Sequence, residues 1–578
     1  MTEPLSRLLA ELLSFVRDEQ QAGNRKLLEV WERPLAEKLN KGHSQDFTRL
    51  ERADEPSTIW AYLDGSESRF REGDLLLLHS GSPLTSQLGR GLSLEAEEDD
   101  RWLLRGNRAP AVMDAYTGGP CYADPDGMDL TPYYERSLEE ISTSQIGLQV
   151  VLPLLGGKLD ITFDDRDVSE GERVARAEGF NPKQAEAVGL AFGSEQVACI
   201  QGPPGTGKTR VLSLIVRLMV ERGERVLMTS HTHMAINNAL NMIHSQGVPT
   251  IKVGRDTQRK GLEDQIECYP NLGAWDARPT NGYVVGATPF ATCTSRLESY
   301  EFDTVVFDEA SQITVPLALM AMRKGKRFIF IGDQKQLPPV MLSRSVLAKD
   351  SLSVFAALTA QDADHTTMLS DTYRMNRWLT EWPSRVYYGN KLVSAGANRE
   401  RRLTLANVPE RLAAVLDPSA CGVFVPTLDR SARTHNFRDA ELVTDLCVAA
   451  VDGGLALHHI GVVTPYRSQG RAVRNLLSQR FGRAAARKVV ADTVERMQGQ
   501  ERELIILSLA TGDEVFLGAV APFFFQPERL NVSFTRSVSK LIVIGPELAA
   551  IPDVQDDTVR LWVGQYRDLI GHLKKIDL

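Results

Sequence analysis

Gly202-Pro-Pro-Gly-Thr-Gly-Lys-Thr209 follows the apolar run Val197 to Ile200 and precedes an amphipathic stretch from Arg210 to Val220. A glycine-rich loop between a strand and a helix is a phosphate cradle. Gly202, Gly205 and Gly207 let backbone N–H groups curl around β- and γ-phosphates, and Pro203, Pro204 and Thr206 complete the loop. Lys208 supplies a point charge, and Thr209 offers a hydroxyl to a magnesium ion at the start of the helix. The context is an α/β parallel sheet, and the ligand is ATP or GTP.

Two later runs have the same form. Thr304-Val-Val-Phe307 ends in Asp308-Glu309-Ala310-Ser311-Gln312, and Phe328 to Ile331 ends in Gly332-Asp333-Gln-Lys-Gln336-Leu-Pro-Pro339. In a parallel sheet these polar ends gather at the carboxyl edge, where ligands sit. Asp308 is then placed to hold magnesium through its water shell and Glu309 to orient and deprotonate an attacking water. Gln336 is placed to touch the γ-phosphate and report its loss.

The order Gln184, Gly202 to Thr209, Asp308 to Gln312, Gly332 to Pro339, Tyr373-Arg374-Met375, Gln498-Gly499 and Arg529 to Arg536 resembles superfamily 1 helicases of class B. Within them it is similar to the branch that includes the nonsense-mediated-decay RNA helicase, senataxin and the helicase half of the Okazaki-flap nuclease-helicase. The resemblance spans residues 176 to 548 and implies ATP with Mg2+. Gln184 matches the glutamine that reads the adenine edge and Tyr373 the aromatic that stacks on the ring. Glu501, after Gly499-Gln500, matches a carboxylate near the ribose. Arg374 and Arg536 match the arginine fingers that reach across the cleft and stabilise charge on the transferring phosphate.

The nucleic-acid track is expected across the tops of both lobes. Thr229-Ser-His231-Thr232 follows Val226 to Met228, Thr288-Pro289 follows Tyr283 to Val285, and Thr464-Pro465-Tyr466-Arg467 follows Ile460 to Val463. Hydroxyls and backbone N–H groups at strand ends suit phosphates, and Tyr466 or His231 suits a base face. Asn376, Met497 and His231-Thr-His233 depart from the family pattern. The His231-Thr-His233 form is nearer to the flap-processing DNA member and favours DNA.

At 578 residues the chain predicts about three or four domains. Its 43% hydrophobic and 24% charged residues are those of a soluble globular protein. No apolar run reaches the roughly 20 residues of a membrane span, and the charged N-terminus lacks a signal-peptide core, so no membrane partner and a cytoplasmic location are expected. Six scattered cysteines without a C-x-x-C pair exclude a zinc ribbon. A net charge of −9 does not coat nucleic acid, so any grip depends on a local groove. Basic clusters occur at Arg323 to Arg327, at Arg399 to Arg402 and from Arg467 to Lys488.

The pattern predicts a helical stalk over 1–45, interrupted near Gly23 and Pro34, and a β-barrel accessory domain over 46–166. An acidic linker over 165–176 follows. The first RecA-like domain is expected over 177–355, with a helical insertion at about 241–280. The second is expected over 356–548, without a phosphate loop, and a helical tail over 549–578. The expected function is an ATP-dependent 5′–3′ helicase or translocase on single-stranded nucleic acid, DNA favoured. The alternatives are an RNA or RNA–DNA hybrid helicase, and a nucleic-acid-stimulated ATPase subunit that remodels a protein assembly without unwinding. Nuclease or targeting functions would come from partner proteins.

Overall fold

The computed structural model of the chain describes residues 3–63, 68–98, 100–343, 353–360, 364–427, 429–548 and 554–578. The phosphate-loop strand Val197–Gln201 belongs to an eight-stranded sheet whose pairings are all parallel. The order is Cys268–Tyr269, Thr250–Val253, Tyr283–Gly286, Arg225–Thr229, Thr304–Phe307, Arg327–Gly332, Val197–Gln201, Thr366–Met368. Helices Pro182–Gly193, Lys208–Glu221 and His233–His244 cover one face, and Val315–Met322 and Val354–Thr359 cover the other. Burial on both faces is why these strands read as continuous apolar runs.

Two expected boundaries move. Thr366 lies opposite Cys199, so the sheet recruits a strand from beyond residue 355. The stretch 241–280 is not a helical insertion, because Thr250–Val253 and Cys268–Tyr269 form the far edge of the sheet. Ile251 and Val253 are buried there, as β-branched residues on a pleated surface favour.

The second sheet is also all parallel, in the order Val490–Thr493, Ile460–Thr464, Arg502–Ser508, Ser537–Gly545, Gly422–Pro426, Lys574–Lys575. The expected tail is built into this domain. Helix Asp557–His572 buries Val559, Val563, Tyr566 and Leu569, and Lys574–Lys575 then joins the sheet beside Gly422–Pro426. Residues 549–553 of that tail lie outside the described residues.

The accessory domain is an antiparallel sheet with the order Gln45–Phe47, Cys121–Pro125, Leu75–His79, Gln87–Glu97, Arg101–Arg105, Thr58–Tyr62, Arg49–Arg52. The two outer strands are separated only by Thr48, so the sheet curls round on itself as a barrel. It ends near Pro125, short of the expected 166. Thr131–Thr143 and Leu152–Leu155 are helices, joined by a π-helical turn, Gly147–Val151. With helix Glu3–Trp31 they form the stalk. That helix runs unbroken through Gly23, whose cost of about 1 kcal/mol in a helix interior is outweighed by packing of the long apolar face. The expected linker is the helix Asp165–Ala177, capped by Asp164, and Gly171 lets it abut Gly189 of the next helix. Arg323 and Arg327 of the first basic cluster are buried, paired with Glu140 and Glu224, and serve packing.

Barrel and stalk meet at a buried charged cluster. The Lys38 ammonium and the Ser44 hydroxyl both donate to Asp124, and His79 Nε2 lies 3.4 Å from the same carboxylate. Lys38→Ala leaves that carboxylate short of its cation, which costs about 3–5 kcal/mol for a buried pair. An earlier unfolding transition in calorimetry, with the transition of the two parallel-sheet domains unmoved, is the expected result.

Candidate nucleotide site and nucleic-acid face

The phosphate loop folds as its glycines require. Gly205 and Gly207 have φ of 75° and 81°, and Gly207 caps helix Lys208–Glu221 without a side chain, leaving the first-turn N–H groups to a ligand. A Cβ on Gly202 would strike Lys208 Cγ at 2.0 Å, and one on Gly205 would strike Arg374 Cβ at 2.4 Å. Only glycine admits both contacts. Lys208 Nζ donates to the Gly202 carbonyl at 2.8 Å, holding the ammonium over the loop.

Asp308 ends its strand buried, its backbone bonded to Thr229 O at 3.0 Å. Burial and the neighbouring Glu309 raise its carboxyl well above the usual range, and the Lys208 ammonium opposes the rise. Glu309 adopts φ 50°, ψ 40°, a left-handed conformation costing about 1–3 kcal/mol for a residue with a Cβ. Its carboxylate accepts from Gln498 Nε2 of the second lobe at 3.5 Å, and strain at a carboxylate placed between the lobes suits a positioned base. The hydroxyls of Thr229, Ser230 and Ser311 at these strand ends are buried without a protein partner. Thr209 and Asp308 fit magnesium, which takes few protein ligands and keeps waters and phosphate oxygens. Among the described residues no group of three or more His, Cys, Asp or Glu could hold a metal.

Across the cleft, Tyr373 N donates to Gly205 O at 2.8 Å and Thr372 Oγ1 to Pro204 O at 2.8 Å, so the inter-lobe segment rests on the loop. Gln184 donates to Thr206 O at 3.0 Å and accepts from Asn181 N at 3.2 Å, bonds that use one of the two N–H groups and one of the two lone pairs of its amide. Asn181 Nδ2 donates to the Tyr373 hydroxyl at 2.9 Å, and Tyr373 keeps 40% of its surface exposed. Arg374 pairs with Glu501 at 2.6 Å and donates to Thr535 O at 3.0 Å, so Glu501, read from sequence as a ribose contact, also orients this arginine. Gly499 turns the chain there with φ 77°. Arg536 Nη2 donates to Gln336 Oε1 at 3.2 Å, joining the two lobes beside the loop.

The expected nucleic-acid residues divide by depth. Thr229, Pro289 and Thr464 are buried, whereas His231, Thr232, Thr288, Pro465, Tyr466 and Arg467 keep exposed surface. Thr232 is partly occupied, accepting from Ala235 N as a helix cap. Tyr466 lies in an aromatic cluster 6.5 Å from Phe516 and 6.1 Å from Phe523, with Arg529 4.3 Å over Phe523. Helix Glu514–Phe524 escaped the sequence reading. Its signal was the run of phenylalanines ahead of Arg529. Arg467 Nη1 donates to Arg69 O of the barrel at 3.3 Å, placing the barrel against the second lobe.

Two family models, each described as an AAA domain, match residues 179–393 and 351–547. The chain is 27% identical over 467 residues to the DNA replication ATP-dependent helicase/nuclease DNA2 of Saccharomyces cerevisiae, covering 74% of this chain and 30% of that protein. It is 28% identical to DNA2 of Mus musculus, over 64% and 37% of the two chains. It is 27% identical to the DNA polymerase alpha-associated DNA helicase A of Schizosaccharomyces pombe, over 71% and 69%. The match thus spans about a third of the length of the helicase/nuclease relatives. A solved arterivirus nonstructural protein 10 helicase with DNA aligns over 92% of this chain and 82% of its own, at 14% identity and a TM-score of 0.38. No described helix is long and apolar enough to cross a membrane.

Proposed function

We propose that this chain is a superfamily 1 helicase that hydrolyses ATP with Mg2+ between its two parallel-sheet domains to move 5′ to 3′ along single-stranded DNA. The observation that carries the reading is the Arg536–Gln336 contact, which puts a guanidinium from one lobe on the phosphate-sensing glutamine of the other. Lys208 and the loop N–H groups hold the phosphates, Thr209 and Asp308 the magnesium, and Glu309 takes the proton of the attacking water. Magnesium supplies charge neutralisation on the β- and γ-phosphates. Loss of the γ-phosphate releases Arg374 and Arg536, so the cleft opens with the nucleotide state. Gln184 and Tyr373 select adenine, and the six cysteines are all free thiols among the described residues.

ATPase stimulation by single-stranded DNA, single-stranded RNA and blunt duplex tests the substrate, and displacement of a strand from 5′- and 3′-tailed duplexes tests unwinding and polarity. DNA stimulation with 5′-tailed displacement is the expected pair of results. Stimulation by RNA alone would transfer the reading to an RNA helicase, and stimulation without displacement to a remodelling ATPase. If the grip rests on hydroxyls, amides and stacking on an acidic protein, DNA affinity falls with salt at a log–log slope of only about −2 to −4. A slope near −8 in a titration by fluorescence anisotropy would place the grip on the arginine clusters instead.

A further inference from the structure

The loop Gly332–Pro339 leaves the first domain's sheet and enters the second domain, where Leu337 is buried in the same packed cluster as Leu379, Trp382 and Phe534. Asp333, itself buried, is the hub of this loop. Its Oδ1 accepts from Gln201 Nε2, at the end of the phosphate-loop strand, at 3.2 Å and from Lys335 N at 3.1 Å. Its Oδ2 accepts from Gln336 Nε2 at 2.9 Å and from the Tyr388 hydroxyl at 2.7 Å.

Tyr388 belongs to the second domain's core and is buried. Its hydroxyl oxygen accepts from Asn531 Nδ2 at 2.9 Å, and the same amide donates to Lys335 O at 2.7 Å. Asn531 lies on helix Pro527–Phe534, directly ahead of Arg536. Burial and the Asp333 carboxylate push the phenol far above its ordinary range, so it keeps its proton and stays a donor.

Two routes therefore join the sensing loop to this helix. Gln336 to Arg536 runs through the groups assigned to the γ-phosphate. Asp333 to Tyr388 to Asn531 bypasses the nucleotide. A buried hydroxyl between a carboxylate and an amide is costly unless every partner is held in place, and phenylalanine would fill the same space with no polar atom. The hydroxyl is thus the element of this seam that packing alone does not require.

Resting on the ATP-driven reading above, we propose that Tyr388 is a positioning residue whose hydroxyl carries the nucleotide state from the Gly332–Pro339 loop to the second domain, and so sets how tightly the strand is held. Any shift of Gln336 moves Asp333, and the shift reaches Asn531 and its helix through the Tyr388 hydroxyl, beside the direct bond of the same amide to Lys335 O.

The test uses the full chain as wild type, Tyr388→Phe, Asn531→Ala and the double variant. Affinity for fluorescein-labelled oligo(dT) is measured with ADP and with a non-hydrolysable ATP analogue. Ligand couplings of this kind are typically about 5- to 150-fold, and the wild-type ratio of the two affinities should fall in that range. Tyr388→Phe should shrink the ratio at least about threefold while each nucleotide's own affinity moves less than about twofold. Asn531→Ala should do the same, and the double variant no more than the larger single, as expected of one route. An unchanged ratio in a folded Tyr388→Phe protein overturns the proposal. So does a ratio that falls only in step with nucleotide affinity and melting temperature, which would mark a packing role. Failure of the helicase reading is distinguishable, because the wild type itself would then show no nucleotide-dependent binding of the oligonucleotide.

Discussion

Lys208→Ala is expected to abolish ATP turnover, and Glu309→Gln to keep ATP bound while hydrolysing it about 10²- to 10⁴-fold more slowly. The two differ because the groups act on different atoms. The Lys208 ammonium is held at the loop mouth, 2.8 Å from Gly202 O, and is assigned to the phosphates, so its loss weakens binding and chemistry together. Glu309 is held off the strand axis in a left-handed conformation and is assigned to the water, so an isosteric amide keeps the shape and removes the base. Phosphate release under steady state, with nucleotide binding measured separately, distinguishes them. Near-normal turnover in either variant would place the chemistry elsewhere.

Arg536→Ala should lower turnover by about 10³-fold or more, as removal of an arginine finger does, with little change in ADP affinity. The guanidinium is 2% exposed and bonds Val532 O at 3.0 Å, Gln500 O at 3.4 Å and Gln336 Oε1 at 3.2 Å. Burial and the nearby Arg374 push it down to about 9, and Glu309 and Glu501 offset them only in part, which leaves the guanidinium suited to a further anion. The incoming γ-phosphate supplies that anion and ADP does not. Weakened ADP binding with normal turnover would show that Arg536 serves another purpose.

The first parallel-sheet domain was legible because its signals are local. The Gly202–Thr209 loop and the strand-end pair Asp308-Glu309 each lie within a few residues of an apolar run, and parallel topology gathers such ends at one edge. What escaped was set by distant contacts. Thr366–Met368 is a three-residue strand whose place depends on a free edge beside Val197–Gln201. Thr250–Val253 is too short for periodicity to separate strand from helix. Arg323 and Arg327 look like a solvated run until Glu140, on the stalk, and Glu224 meet them. At the site, Gln336 was readable from its motif. Tyr388 was not, since the second of two adjacent tyrosines at the end of an amphipathic helix carries no mark of the carboxylate it will face 55 residues away.

The stalk helix Glu3–Trp31 has a mechanical meaning. Its first turns, through Leu5, Leu9 and Leu12, are rooted in the first domain's core, and its far end holds the barrel through Trp31 Nε1 on Pro125 O at 2.8 Å. At 1.5 Å per residue it is a shaft about 43 Å long, so a pivot of a few degrees at the root swings the barrel by a few ångströms. Midway along it, the Glu19 carboxylate takes the N–H groups of Leu342 at 2.9 Å and Ser343 at 2.7 Å, just past the loop that carries Gln336. A lever pushed at its middle moves about twice as far at its tip. A nucleotide-sized displacement at the sensing loop would arrive at the barrel enlarged, where Arg69 already rests against the second lobe.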